Sequence, residues 1–144
     1  MPNISGSQKK SLSVAPGNPL HGETGREGAL ALPGDKSLSH RAALFAALAV
    51  GESRIENFLI AGVTRAMLDG LSALGVSWQL HGKILTVQGK GLSGWQPPAS
   101  PVEIYCGNSA TTLRLLAGAL AAWGFASVLD GSAGLRRRPM GRIV

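Results

Sequence analysis

The chain has 144 residues, 44% hydrophobic and 15% charged, with a formal net charge of +6 and a pI near 10.3. That length makes it one domain or part of a larger protein, able to bury about two-thirds of its unfolded surface. Its composition excludes a disordered chain, its one Cys a disulfide framework or multi-Cys zinc site, and its short apolar runs, such as Ala42–Gly51, a membrane span.

Residues Met1–Gly28 are rich in Gly, Pro and Ser and lack the apolar core of a secretory signal. They read as a flexible leader with one short strand, Leu12–Val14, ahead of a domain over 29–144, and the expected location is cytoplasmic. Ala29–Leu32 reads as a strand stopped by the turn pair Pro33-Gly34. A helix follows over about Ser39–Ala49, with Gly51 as a left-handed cap, then a strand at Arg54–Leu59. Thr64 can cap a helix through Leu74, ended by Gly75. Val76–Leu80 and Ile84–Gln88 flank His81-Gly82-Lys83 as a hairpin. Beyond Pro97, Pro98 and Pro101 come a strand at Val102–Tyr105, a helix over about Thr111–Ala122, Gly124, and a strand at Ala126–Leu129.

A repeat underlies this order. Gly34 and Gly51 are 17 residues apart, as are Gly107 and Gly124, and an arginine stands seven residues after each first glycine, Arg41 and Arg114. A shift of 73 superposes both sets. The pattern predicts an α/β (α+β) chain of βαβαββ units, one complete over 29–100 and the front half of a second over 101–144. The second unit stops in mid-course at Val144, so the chain is expected to be incomplete.

The chemistry points to anions. In Pro33-Gly34-Asp35-Lys36-Ser37-Leu38-Ser39-His40-Arg41 a strand enters a glycine turn and a helix leaves it, so free N–H groups and the positive end of the dipole face outward. Lys36 adds a point charge, Ser37 and Ser39 hydroxyls, and Arg41 a planar fork suited to a carboxylate. The segment lacks the spacing of a Walker A loop. The plain alternative is an ordinary capped helix, with Ser39 at or near the cap and Arg41 solvated. Gly107-Asn108-Ser109-Ala110-Thr111-Thr112 repeats the device, with the same plain alternative, and Arg136-Arg137-Arg138 reads otherwise as a solvated basic loop. His21, His40 and His81 stand isolated, without metal-ligand spacing, so no metal or other cofactor is expected. Cys106 reads as a small buried hydrophobe, and no acid–base pair is visible.

These segments carry a resemblance. Leu32-Pro-Gly-Asp-Lys-Ser-Leu-Ser-His-Arg41 resembles the signature of the 5-enolpyruvylshikimate-3-phosphate (EPSP) synthase family. Gly107-Asn-Ser-Ala-Thr-Thr-Leu-Arg-Leu-Leu116 and Arg138-Pro-Met-Gly141 resemble its next two segments, and Leu12–Pro16 and Pro19–Gly22 its opening strand. The related UDP-N-acetylglucosamine enolpyruvyl transferases carry Asn where this chain has Ser37.

The resemblance implies an enolpyruvyl-transferase fold and transfer of the enolpyruvyl group of phosphoenolpyruvate to the 5-hydroxyl of shikimate 3-phosphate, on the route to aromatic amino acids. It implies that Lys36, Ser37 and Arg41 contact shikimate 3-phosphate, and that Lys36, Asn108, Ala110 and Arg138 contact phosphoenolpyruvate. It implies glyphosate as inhibitor, with tolerance set by Ala110, where the family commonly has Gly. The family's acid–base residues would lie beyond Val144, so a complementary C-terminal segment is the expected partner and the chain alone is expected to be inactive. Two departures stand out: Glu23–Gly28 looks like a small insertion, and Gly62-Val63-Thr64-Arg65 lacks the family's usual acidic residues.

Two other classes compete. One is a stand-alone module that binds an anionic metabolite without catalysis. The other is a basic nucleic-acid-binding domain, disfavoured because no basic face is interleaved with aromatics. Neither nucleic acid nor a membrane is an expected partner.

Overall fold

The computed structural model describes residues 32–97, 100–141 and 143. The leader, its strand at Leu12–Val14, the segment Glu23–Gly28 and most of the strand expected at Ala29–Leu32 lie outside them. Leu32 itself is in no regular element.

Helix α1 (Lys36–Leu48) begins one turn earlier than its sequence pattern predicts. Asp35, not Ser39, caps it, its carboxylate accepting from the Leu38 N–H at 2.8 Å. Its far end is closed at Ala49, and Gly51, with φ +87°, lies inside β1 (Val50–Ile55) instead. That strand falls four residues ahead of the expected Arg54–Leu59. The reason is its partner, because β1 pairs antiparallel with β3 (Ile84–Lys90) over Val50↔Lys90 to Ile55↔Leu85.

Helix α2 (Gly62–Ala73) also starts early, at Ala61. Thr64 sits inside its first turn and reaches back, its Oγ1 accepting from the Ala61 N–H at 3.0 Å. Ala61 has no side-chain acceptor to return the bond. Strand β2 (Ser77–His81) turns at Gly82-Lys83 into β3, as the pattern predicts, giving a sheet of order β1-β3-β2. Strand β4 (Val102–Tyr105) matches its prediction, α3 (Ala110–Leu120) starts at a Ser109 cap, and β5 (Ser127–Asp130) pairs parallel with β4. A short helix, α4 (Ala133–Arg136), was not predicted. Its four residues are too few to give a periodic signal.

The two helices keep the repeat offset along the chain. From Lys36 to Ala110 is 74 residues and from Leu48 to Leu120 is 72, so α1 and α3 keep the 73-residue offset to within one at each end.

Small residues set the packing. A Cβ on Gly89 of β3 would stand 2.2 Å from the Ala46 carbonyl oxygen, so α1 lies directly on the sheet. A Cβ on Gly70 of α2 would stand 2.8 Å from Leu116 and 3.1 Å from Ile104, so α2 fits between α3 and β4. Met67, Leu68, Leu71 and Leu74 of this segment are fully buried in one core with Leu85, Val87 and Leu116. Removing such side chains from water is the main stabilising term. At the C-terminal ends of α1 and α3, the Trp95 Nε1–H donates to the Ala47 carbonyl at 3.2 Å. The Trp95 ring stacks on Trp123 with centroids 4.9 Å apart.

Candidate functional site

The opposite ends of these helices meet at His40. Its ring is fully buried. Nδ1 lies 2.7 Å from the Lys36 carbonyl oxygen in the first turn of α1. Nε2 lies 3.0 Å from the Val63 carbonyl oxygen in the first turn of α2, and 3.3 Å from Oγ of Ser109, the α3 cap. Three helix N-termini therefore converge on one side chain. Each presents N–H groups with no partner in its own helix, and their dipoles place partial positive charge at the same end of the structure.

On α1 the residues around His40 separate into two kinds. Lys36 and Arg41 are exposed, and Ser37 is half-buried. Ser37 and Arg41 are four residues apart and so share a face, next to the row formed by Lys36 and His40. Among the described residues no carboxylate pairs with Lys36, Arg41, Arg137 or Arg138. Ser39 and Gly34 belong to the scaffold instead. The Ser39 Oγ accepts from the Leu59 N–H at 3.0 Å, and a Cβ on Gly34 would stand 2.2 Å from the Asn57 carbonyl oxygen. The motif glycine is therefore required by the close approach of the loop after β1, a backbone contact that only tertiary structure shows.

The α3 start is built by its neighbours. Gly107 has φ +57°, and its carbonyl accepts from the Ser132 N–H at 2.7 Å. The Ser109 Oγ accepts from the Thr112 N–H at 3.1 Å, so here the plain capping reading holds, through Ser109. Asn108 is exposed, its Oδ1 accepting from the Ser132 hydroxyl at 3.3 Å. Ala110, the first helical residue, is 6% exposed and belongs to the core.

The arginines after β5 differ from one another. Arg136 is held by the Asp130 carboxylate, with Nε donating to Oδ1 at 2.9 Å. This hydrogen bond, aided by the Gly131 N–H, brings the Asp130 pKa down to about 2. Arg138 is exposed and carries no such partner. Arg114, the repeat counterpart of Arg41, donates from Nη2 to the Pro139 carbonyl at 2.9 Å. Since Arg114 is one turn along α3 from Ala110, this bond ties the residue after Arg138 to the α3 start.

His40 thus links the first turn of α1, which carries Lys36 and Ser37 with Arg41 one turn on, to the Ser109 cap between Asn108 and Ala110, and Arg114 holds the residue after Arg138. The sequence pattern missed His40, Ser132 and the role of Arg114. A signal existed for the first, because His40 stands four residues after Lys36 on the same helical face. Among the described residues no group of His, Cys, Asp and Glu could hold a metal ion. Cys106 is buried, and burial pushes its thiol pKa up to about 11, far from a nucleophile's range. Convergent N–H groups, two exposed cations and hydroxyls suit a small ligand with several oxyanions.

Comparisons with known proteins point to one family. The family model described as EPSP synthase (3-phosphoshikimate 1-carboxyvinyltransferase) matches residues 20–144. A 3-phosphoshikimate 1-carboxyvinyltransferase of Coxiella burnetii is 44% identical over 122 residues, covering 83% of this chain and 27% of the relative. One from Pelobacter propionicus is 41% identical over 134 residues, 93% of this chain and 29% of the relative. Among solved structures, an EPSP synthase from Acinetobacter baumannii superposes with a TM-score of 0.71 at 42% identity, over 76% of this chain and 25% of that one. The chain spans about a quarter of the length of these relatives.

Proposed function

The chain belongs to the EPSP synthase family, and from that premise we propose that it supplies the N-terminal binding groups for enolpyruvyl transfer from phosphoenolpyruvate to the 5-hydroxyl of shikimate 3-phosphate. In that reaction the shikimate 5-oxygen bonds to the enolpyruvyl carbon, that carbon's bond to the phosphate oxygen breaks, and the hydroxyl proton ends on the released phosphate. Lys36, Ser37 and Arg41 hold shikimate 3-phosphate. Lys36, Asn108, Ala110 (through its backbone) and Arg138 line the phosphoenolpyruvate site. Their part is alignment and stabilisation of negative charge. Proton transfer falls to residues outside this chain. The methyl of Ala110 discriminates against glyphosate, a longer molecule than phosphoenolpyruvate. The stretch 29–144 is one repeat unit and the first part of a second, on the offset kept by α1 and α3.

The observation that carries this reading is the convergence of three helix N-termini on His40 beside Lys36 and Arg41, which no described carboxylate neutralises. Both substrates are polyanions, and the net charge of +6 favours their approach. The test is a titration of the ¹⁵N-labelled chain with shikimate 3-phosphate and, separately, a short oligonucleotide. Amide shifts are expected at residues 34–41 and 107–112 with the metabolite. Arg41→Ala should weaken binding by ~1.5–3 kcal/mol, the worth of a hydrogen bond to a charged group. Shifts confined to Arg136, Arg137 and Arg138, or tighter binding of the oligonucleotide, would overturn the reading.

A further inference from the structure

His40 is left without a part in the binding chemistry above, yet it touches all three helix starts. Its ring is held between them. Nδ1 lies 2.7 Å from the Lys36 carbonyl oxygen, and Nε2 lies 3.0 Å from the Val63 carbonyl oxygen and 3.3 Å from the Ser109 hydroxyl. The Ser109 oxygen accepts from the Thr112 N–H, and the Thr112 hydroxyl lies 2.8 Å from the Ser109 oxygen and 3.2 Å from the Val63 carbonyl oxygen. Every buried side-chain polar atom among the described residues has a partner.

We propose that His40 is a positioning residue: through its buried ring it fixes the starts of α1 and α3 against the first turn of α2, so that Lys36, Ser37 and Arg41 act on the same ligand as Asn108 and Ala110. The ligand side of this inference rests on the functional reading above. The clamp itself rests on geometry alone. Its consequence is selective. A ligand that bridges the two helix starts needs their separation held, because a displacement of about an ångström costs a bridging ligand heavily. A single small anion at one helix does not need it. Buried polar networks in which every member is satisfied rigidify what they join.

The ring proton is read first, without ligand, from long-range ¹H–¹⁵N spectra of the histidines in the full 144-residue chain. A ring N–H protected from exchange with water is expected for His40, as in a closed hydrogen bond, and a ring N–H that exchanges freely overturns the clamp. Binding of shikimate 3-phosphate and of inorganic phosphate is then compared in wild type, His40→Leu and Ser109→Gly. The glycine variant loses the hydroxyl but keeps most of the cap. In both variants shikimate 3-phosphate should bind about tenfold more weakly and cease to shift the amides of 108–112, while inorganic phosphate changes by less than about twofold. Equal losses for both ligands mark a merely structural role and overturn the proposal, as does unchanged affinity for shikimate 3-phosphate. Should His40→Leu fail to fold, Ser109→Gly decides. A wild-type chain that ignores shikimate 3-phosphate overturns the functional reading, and the ring spectrum still decides the clamp.

Discussion

A glycine and an alanine show how much one methyl can decide. Gly34 is in the first motif, yet the structure assigns it to packing: any Cβ there would meet the Asn57 carbonyl oxygen at 2.2 Å and the Leu59 nitrogen at 2.7 Å. Gly34→Ala should therefore destabilise the chain by ~1–3 kcal/mol, the usual cost of forcing an added methyl into packed backbone. Gly118, inside α3 with nothing within 4 Å of its would-be Cβ, should respond in the opposite sense, gaining ~0.5–1 kcal/mol as Ala through helix propensity. Urea unfolding of both variants beside the wild type checks the sign of each. Ala110 raises the same question at the binding site. As the first residue of α3 its N–H has no partner within the helix, and the residue is 6% exposed, so a glycine there loosens the helix start as well as clearing space. In a complete enzyme containing this segment, Ala110→Gly should bind glyphosate roughly tenfold to two-hundredfold more tightly, with a smaller fall in KM for phosphoenolpyruvate. Equal inhibition constants, with only a loss of stability of up to ~1 kcal/mol, would leave Ala110 a packing residue.

The elements owe their positions to partners as much as to their own residues. Strand β1 lies where Leu85 and Val87 of β3 can pair with it, four residues from where composition alone placed it. Asp35 takes the cap of α1 because its carboxylate reaches the Leu38 N–H, which leaves Ser39 free to hold the loop before α2. The join between β5 and α4 depends on a charge. The Arg136 guanidinium and the Gly131 N–H hold the Asp130 pKa at about 2, below its ordinary 3.8. A carboxylate with a depressed folded pKa contributes stability that is present above the unfolded value and disappears as pH falls through the folded one. Wild type should therefore exceed Asp130→Asn in urea midpoint at about pH 5, with the gap narrowing below about 4 and closing near 2. Because the pair is exposed, added salt should shrink the gap as well. A gap independent of pH would show that the variant acts through packing instead.

For the whole molecule the binding groups and the reaction separate. The described residues hold cations, hydroxyls and helix ends, but Cys106 is buried with its thiol near 11 and nothing resembles an acid–base pair. On the proposed function, the 144-residue chain alone should bind without turnover. Phosphate release from shikimate 3-phosphate and phosphoenolpyruvate should appear only when the remaining length of an EPSP synthase is supplied with it. Steady release by the chain alone would refute this.

Local chemistry made much of this legible. Glycine turns, capping residues and the 73-residue offset revealed the order of helices and strands, and the hairpin around Gly82 and strand Val102–Tyr105 were placed closely, because turn residues and short alternating runs act over a few positions. Lys36, Ser37 and Arg41 stand out for the same reason, as charges and a hydroxyl at a helix mouth, and Asn108 and Ala110 as small residues at its repeat, whereas Arg138 stands out through the family resemblance of Arg138-Pro-Met-Gly141. What the sequence could not reveal depends on residues far apart in the chain. His40 is 23 residues from Val63 and 69 from Ser109, so its part in joining three helices exists only once α1, α2 and α3 have packed. The division between Arg41, left open, and Arg114, bonded to Pro139, likewise follows from which neighbour each meets, and two residues equivalent in the repeat acquire different tasks from their surroundings.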